Sequence, residues 1–160
     1  MAADIEALVA SRGGSSEIGP SAEELRERLP KQIAQKPTLE RDGFMSLVVE
    51  GDGRLIGDIQ ARAPKKAYPP GVCEIGISLF PDARGKGFGR EAVTLFTQLL
   101  FENGMERIQA STALDNVAMR RVLELVGYEF EGILRFFMPN ARGEREDYAL
   151  YAVVRPDWAR

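Results

Sequence analysis

No histidine occurs anywhere in the 160 residues, and cysteine occurs once, at Cys73. The first absence removes the commonest catalytic base and the commonest transition-metal ligand, so serine–histidine and cysteine–histidine hydrolases are excluded. The second rules out an internal disulfide. A carboxylate-only site for a hard cation would need an Asp-rich loop, and none with EF-hand spacing is present, so no metal is expected. No run approaches the roughly 18 consecutive apolar residues needed to cross a bilayer. The N-terminus carries Asp4 and Glu6 where a signal peptide would be basic and then apolar. A net charge of −3 also argues against nucleic-acid binding, which calls for a basic face interleaved with aromatics. The expectation is a cytoplasmic protein without membrane or nucleic-acid partners. Its chemistry must rest on carboxylates, tyrosines, backbone amides and a cofactor.

What is present suits a single domain spanning residues 1–160, with 44% hydrophobic residues to build one core. Asp4–Ala10 reads as a short helix, followed by the flexible run Ser11–Ser16. Ser21-Ala22-Glu23-Glu24 has capping-box spacing ahead of Leu25, Leu29 and Ile33, with Pro30 expected to bend or end that helix. Phe44–Glu50 and Leu55–Ala61 are strands joined by a Gly51-Asp52-Gly53-Arg54 hairpin. Pro64, Pro69 and Pro70 make Arg62–Gly71 a loop. In the strand Val72–Phe80, alternation puts Cys73, Ile75, Ile77 and Leu79 on one face and Glu74, Gly76 and Ser78 on the other. Gly76 in mid-strand marks a bulge or a close approach.

Downstream, Arg90–Glu102 follows helical spacing, with Ala92, Val93, Leu95, Phe96, Leu99 and Leu100 as its apolar set, and Asn103-Gly104 ends it. Arg107–Ala113 is a strand. Asp115 or Asn116 then caps a helix with an inward face of Ala118, Val122, Leu125 and Val126. Tyr128–Met138 and Asp147–Val154 are strands around the polar turn Pro139–Glu146. This order predicts an α/β protein with a mixed sheet rather than a regular βαβ series.

The most informative segment joins the third strand to the helix after it: Arg84-Gly85-Lys86-Gly87-Phe88-Gly89. Glycines at alternate positions let the backbone turn its N–H groups inward, and a helix N-terminus adds positive dipole to the same spot. Arg84, Lys86 and Arg90 concentrate cations there in an otherwise acidic chain. The site therefore suits the pyrophosphate of a phosphorylated cofactor. A dinucleotide-binding fold would need Gly-x-Gly-x-x-Gly after an early strand, and a P-loop would need Gly-Lys-Ser/Thr; neither occurs.

These residues resemble the GNAT superfamily of N-acetyltransferases, within it the branch typified by the RimJ and RimL ribosomal-protein acetyltransferases. Arg84-Gly85-Lys86-Gly87-Phe88-Gly89 fits the family's acetyl-CoA signature, Arg/Gln-x-x-Gly-x-Gly/Ala. Glu74-Ile75-Gly76, with Pro81 before the loop, is similar to that branch's fourth strand. Asn116, then Gly127-Tyr128 and Glu131-Gly132, is similar to its late helix and the following strand. The resemblance runs from about Phe44 to Arg155. It implies a mixed, mostly antiparallel sheet of six to seven strands flanked by about four helices and splayed at the fourth family strand. Family members begin with a strand before the first helix, and only Met1–Ala3 precede Asp4 here.

The resemblance further implies acetyl-CoA as co-substrate, without a metal, and a primary amine as acceptor, either a protein N-terminus or a small molecule; a homodimer is compatible with it. Gly85, Lys86, Gly87, Phe88, Gly89 and Arg90, with Arg84, would hold the pyrophosphate. The pantetheine would run along Ile77 and Leu79, and Asn116 would hold the pantetheine or its sulfur end. Glu74 is the candidate base, with a structural glutamate paired to an arginine or to loop amides as the competing reading. Phe136 and Tyr148 would line the acceptor site near the last turn, where Glu144, Glu146 and Asp147 either attract a cationic amine or form ordinary solvated surface, as do Lys65 and Lys66. The family's thiolate acid, seven or three residues after the asparagine, is replaced by Leu123 and Met119. Water, Tyr128, Tyr148 or Tyr151 would then supply that proton. Cys73 reads as a buried hydrophobe rather than a nucleophile. A non-enzymatic alternative is a CoA-binding protein of this fold with a regulatory role.

Overall fold

Alternating apolar side chains build six strands in the computed structural model, which describes residues 6, 23, 24, 26, 27, 30, 39, 43–63, 68–140 and 142–158. They are β1 (Phe44–Gly51), β2 (Arg54–Arg62), β3 (Val72–Leu79), β4 (Arg107–Ala113), β5 (Glu129–Pro139) and β6 (Arg145–Val154). Helix α1 (Phe88–Glu102) follows β3 through a 3-10 turn at Pro81–Ala83, α2 (Val117–Val126) follows β4, and the short α3 (Arg155–Trp158) follows β6. In the early segment, Glu6, Glu23, Glu24, Arg26, Glu27 and Pro30 are helical, and Arg26 grips Glu6 through two hydrogen bonds of 2.9 Å. The expected family strand before the first helix and the lysines Lys65 and Lys66 lie outside the described residues. No described helix is long and apolar enough to cross a membrane.

The sheet order is β1-β2-β3-β4-β6-β5, and every pairing is antiparallel except β3 with β4. The β1–β2 hairpin turns through Asp52 and Gly53 at φ +52° and +71°, the pair of positive values that matches the twist of flanking strands. Cys73, Ile75, Ile108, Ala110, Ala149, Tyr151 and Val153 form the face of the sheet that packs beneath Val93, Phe96 and Leu100 of α1 and Leu123 of α2, all of them buried. At the far end of α1, Arg155 donates to the carbonyl of Phe101, one of the helix's terminal acceptors, and to that of Met105 just beyond it, and lies over the Phe101 ring.

Three sequence expectations need correction. The β2–β3 register runs unshifted past Gly76, so Gly76 is not a bulge, and a Cβ there would meet only Gln60 at an ordinary 3.5 Å. The close approach is instead at Gly57, where a Cβ would sit 2.1 Å from the Ser78 carbonyl oxygen. The inward face of α2 is Met119, Val122, Leu123 and Val126, because Ala118 and Leu125 point to solvent. Finally, α1 begins at Phe88, two residues ahead of Arg90, and Leu95 on its surface is 60% exposed.

Candidate active site

The parallel β3–β4 ladder contains only three register pairs, ending at Glu74↔Gln109. Beyond them β3 stays paired to β2 as far as Leu79, and β4 stays paired to β6 as far as Ala113, so the two strands part like a fork. Antiparallel strands alternate the direction of their backbone groups. The Phe80 N–H donates to the Ile56 carbonyl, which fixes the parity: Gly76 and Ser78 bond β2, while Ile77 and Leu79 direct N–H and C=O into the fork. The β3 edge is thus a half-empty ladder in mid-sheet. Because β3 and β4 run parallel, the helices that follow them both start at the open end of the fork. Gly89 in the first turn of α1 lies beside Leu79 and Val122, which places that turn against both β3 and α2.

The glycine loop is open on its outer side. Gly85 and Gly87 have φ of +72° and +90°, and a Cβ on either would meet nothing within 4 Å. Gly87 is the N-cap of α1 and supplies no side-chain cap, and the first helical bond is Glu91 N–H to Gly87 C=O. The amides of Phe88, Gly89 and Arg90 therefore precede the intrahelical bonding pattern and carry the positive end of a 15-residue helix. Arg84, Lys86 and Arg90 are exposed around them. Arg84 Nε donates to the Leu79 carbonyl at 2.9 Å, which folds its guanidinium across the end of β3. Phe88 uses its ring elsewhere: it packs on the β1–β2 hairpin, where a Cβ on Gly51 would come within 2.9 Å of it. Arg54 also holds Asp82 at 2.7 Å, so the hairpin braces the loop at two points. Open left-handed glycines, free helix-start amides, clustered cations and an unpaired strand edge fit the diphosphate and amide groups of coenzyme A.

Glu74 stands at the root of the fork, on the face opposite α1. Its side chain is 16% exposed. Tyr68 donates to Oε2 at 2.6 Å and Ser111 to Oε1 at 2.9 Å, while an Arg62 nitrogen lies 3.9 Å from Oε1. Gln109 in turn donates to the Tyr68 hydroxyl at 3.3 Å. Burial, followed by the hydrogen bond and charge of Glu74, pushes the Tyr68 phenol up to about 12. Sequence reasoning missed Tyr68, Gln109 and Ser111. Polar residues at alternate positions of the central strand β4 were a usable signal for two of them, whereas a tyrosine in a proline-rich loop gives none.

Cys73 is fully buried, and burial, with the Glu74 charge behind it, pushes its thiol up to about 12, as suits a core residue. Two of the tyrosines considered as acids are also core residues. Tyr128 shares a 2.8 Å hydrogen bond with Thr97 and is pushed up by burial; Tyr151 is tied to Arg120 and Glu124 of α2. Leu123 is likewise sealed in the core.

Asn116 caps α2 across the fork, its side-chain oxygen accepting from Met119 N–H at 3.2 Å, so its amide nitrogen is left for another acceptor. Tyr148 packs against Phe137 with centroids 5.6 Å apart and ring planes tilted by 58°, and its phenol is pushed up by burial, then by Glu146 and Asp115. Phe136 projects into solvent, 71% exposed, from a register shift in β5. Its φ of +56° is held by Asp147, which accepts its N–H at 2.7 Å. Asn140 donates to both Glu144 and Glu146, so these two acids brace the turn. The cavity of about 730 Å³ lined by Met45, Tyr68, Pro69 and Met105 lies at the closed end of the sheet, away from the fork's mouth.

A mixed sheet that forks at its middle strand, with a glycine loop and a helix start at its mouth, defines an acyl-CoA-type transferase fold. The sequence pattern of the acetyltransferase (GNAT) domain matches residues 2–129, and the chain belongs to the GNAT acetyltransferase family. The probable N-acetyltransferase YjcK of Bacillus subtilis (strain 168) is 31% identical over 140 residues, covering 84% of this chain and 69% of that protein. The uncharacterized N-acetyltransferase YoaA of the same organism is 33% identical over 84 residues, or 52% of this chain, and the match spans about half, 47%, of YoaA. Mycobacterium smegmatis RimJ, solved in complex with CoA-disulfide, has the same fold with a TM-score of 0.81 at 18% identity, covering 100% of this chain and 81% of that one.

Proposed function

We propose that the chain is an acetyl-CoA-dependent N-acetyltransferase that moves the acetyl group directly to a primary amine, a protein N-terminus or a small molecule, within a ternary complex. The observation that carries this reading is the fork: a strand edge with inward-facing amides at Ile77 and Leu79, opening onto the glycine loop. The glycine-loop amides from Gly85 to Arg90 and the Arg84, Lys86 and Arg90 side chains bind the diphosphate. Ile77 and Leu79 pair with the pantetheine amides as a strand would, and Asn116 holds the arm from the β4 side. The thioester supplies an already activated acyl group, so no metal is required.

Glu74, at the root of the fork, takes the proton from the acceptor ammonium, directly or through one water. An α-amine, with an ordinary value of roughly 7.7 to 8.0, asks less of this base than a lysine near about 10.4. A fork-facing backbone N–H on β3 steadies the carbonyl oxygen as charge develops. Phe136 and Tyr148 border the acceptor side. With Leu123 buried and Met119 apolar, the family's acid positions on α2 carry none, and water or Tyr148 returns the proton to sulfur.

The absence of that acid also favours a second reading, a CoA-binding protein with little or no turnover. Incubation with acetyl-CoA and a panel of α-amines, polyamines and amino-acid amides, read as free thiol, separates the two. Release with at least one amine is expected, falling by about 100-fold in Glu74→Gln while CoA affinity holds. Saturable binding without release from any amine establishes the second reading.

A further inference from the structure

The carboxylate at the root of the fork is held from both sides by hydroxyls that come from different elements. Tyr68 belongs to the loop that enters β3, and its hydroxyl donates to Glu74 Oε2 at 2.6 Å. Ser111 belongs to β4, two residues past the last β3–β4 pair at Gln109, and donates to Oε1 at 2.9 Å. Gln109 steadies the Tyr68 hydroxyl at 3.3 Å, so one string runs from the closed end of the fork to its opening. The other charged neighbour among the described residues, Arg62, is 53% exposed and 3.9 Å away, too far and too well solvated to fix an orientation. Cys73, next in sequence, faces the opposite side of the sheet and is buried there.

A single donor would leave the carboxylate free to rotate about its last torsion. Two donors, one on each oxygen and on opposite flanks, remove that freedom. Each oxygen keeps a second lone pair, and the side chain keeps 16% of its surface open, so the clamp orients the group without closing it off.

We propose that Tyr68 and Ser111 are positioning residues that clamp Glu74 in the orientation from which it serves the acceptor amine. The inference rests on Glu74 being the base, and it adds two residues, one on a loop and one on a strand, that set its geometry. Losing either hydroxyl frees the carboxylate to turn about its last torsion.

Two readouts on Tyr68→Phe and Ser111→Ala test this, with Ser111→Thr as the variant that keeps a hydroxyl. In the ligand-free protein, the order of the Glu74 side chain is followed by ¹³C relaxation of its γ-methylene, assigned by its shift in Glu74→Gln. The order is expected to drop in Tyr68→Phe and in Ser111→Ala, and to return in Ser111→Thr. In turnover, kcat is expected to fall about tenfold in each hydroxyl-less variant with the KM for acetyl-CoA unchanged, and to recover in Ser111→Thr. A Glu74 side chain as ordered in both hydroxyl-less variants as in the wild type overturns the clamp, whether or not any amine is acetylated. Order that drops while kcat stays at the wild-type value overturns its role in the reaction. Should no amine be turned over at all, the enzymatic reading falls on that result, and the relaxation measurement alone decides the clamp.

Discussion

Gly87 and Gly89 sit two residues apart in the same loop, yet alanine at the two positions should act in opposite directions. Gly87 holds φ +90° and ψ −17° as the N-cap of α1, with open space where a Cβ would go. The penalty there is therefore purely conformational, about 1–2 kcal/mol for an L side chain in the left-handed region. The free loop of Gly87→Ala can relax out of that conformation and must be restored to it on binding. Much of the penalty should thus appear in cofactor affinity, as a factor of about 5 to 30. Gly89 is already helical, and its Cβ would touch Leu79 at 3.5 Å and Val122 at 3.9 Å, both ordinary contacts. Gly89→Ala should stabilise the fold by about 0.5–1 kcal/mol, with CoA affinity within twofold of wild type. Titration calorimetry with CoA and urea unfolding of both variants measure the pair. Equal losses of affinity, or an unaffected Gly87→Ala, would refute the reasoning that backbone conformation rather than side-chain space shapes this loop.

Other outcomes follow from the surrounding structure. Cys73 should resist an aromatic disulfide reagent at pH 8 in the folded protein and react at once in urea, because burial has pushed its thiol up to about 12; rapid labelling of folded protein would contradict its place in the core. Glu131 receives two hydrogen bonds from Arg107, at 2.7 and 2.5 Å, which hold its carboxyl below the usual range. Its contribution to stability is therefore full above the unfolded value of about 4.3 and is lost as pH falls through the lower folded value. Discounted for solvent at a partly exposed pair, Glu131→Gln should cost about 0.5–1 kcal/mol at pH 7 and nothing near pH 2, measured by urea unfolding at the two pH values. An equal penalty at both would show that the pair acts through packing rather than charge.

Much of the frame was legible because its signals are local. β4 has the bounds read from sequence, Arg107–Ala113, since Asn103-Gly104 ends the helix before it and strict alternation fills the strand. The glycine loop and the parting of the strands at the fork were legible through residue type, spacing and family likeness. What misled was information that only the assembled sheet contains. The stretch Val117–Val126 offers two overlapping apolar stripes, and contact with the sheet selects Met119, Val122, Leu123 and Val126. α1 starts at Phe88 rather than Arg90 because the Phe88 ring is anchored on a hairpin more than thirty positions earlier. Gly76 is the mid-strand glycine of β3, but strand packing makes Gly57 of β2, paired with Leu79, the position without room. The pairing of Ser111 with Glu74 was hidden for the same reason, since the two lie 37 residues apart in the chain.

The most direct test is backbone hydrogen exchange along β3, followed by NMR with and without CoA. Ile77 and Leu79 face the fork and should gain protection when CoA binds, whereas Gly76 and Ser78, already bonded to β2, should change little. That alternation is expected only if the cofactor's arm adds itself to the strand edge. Uniform changes along β3, or none at saturating CoA, would contradict it.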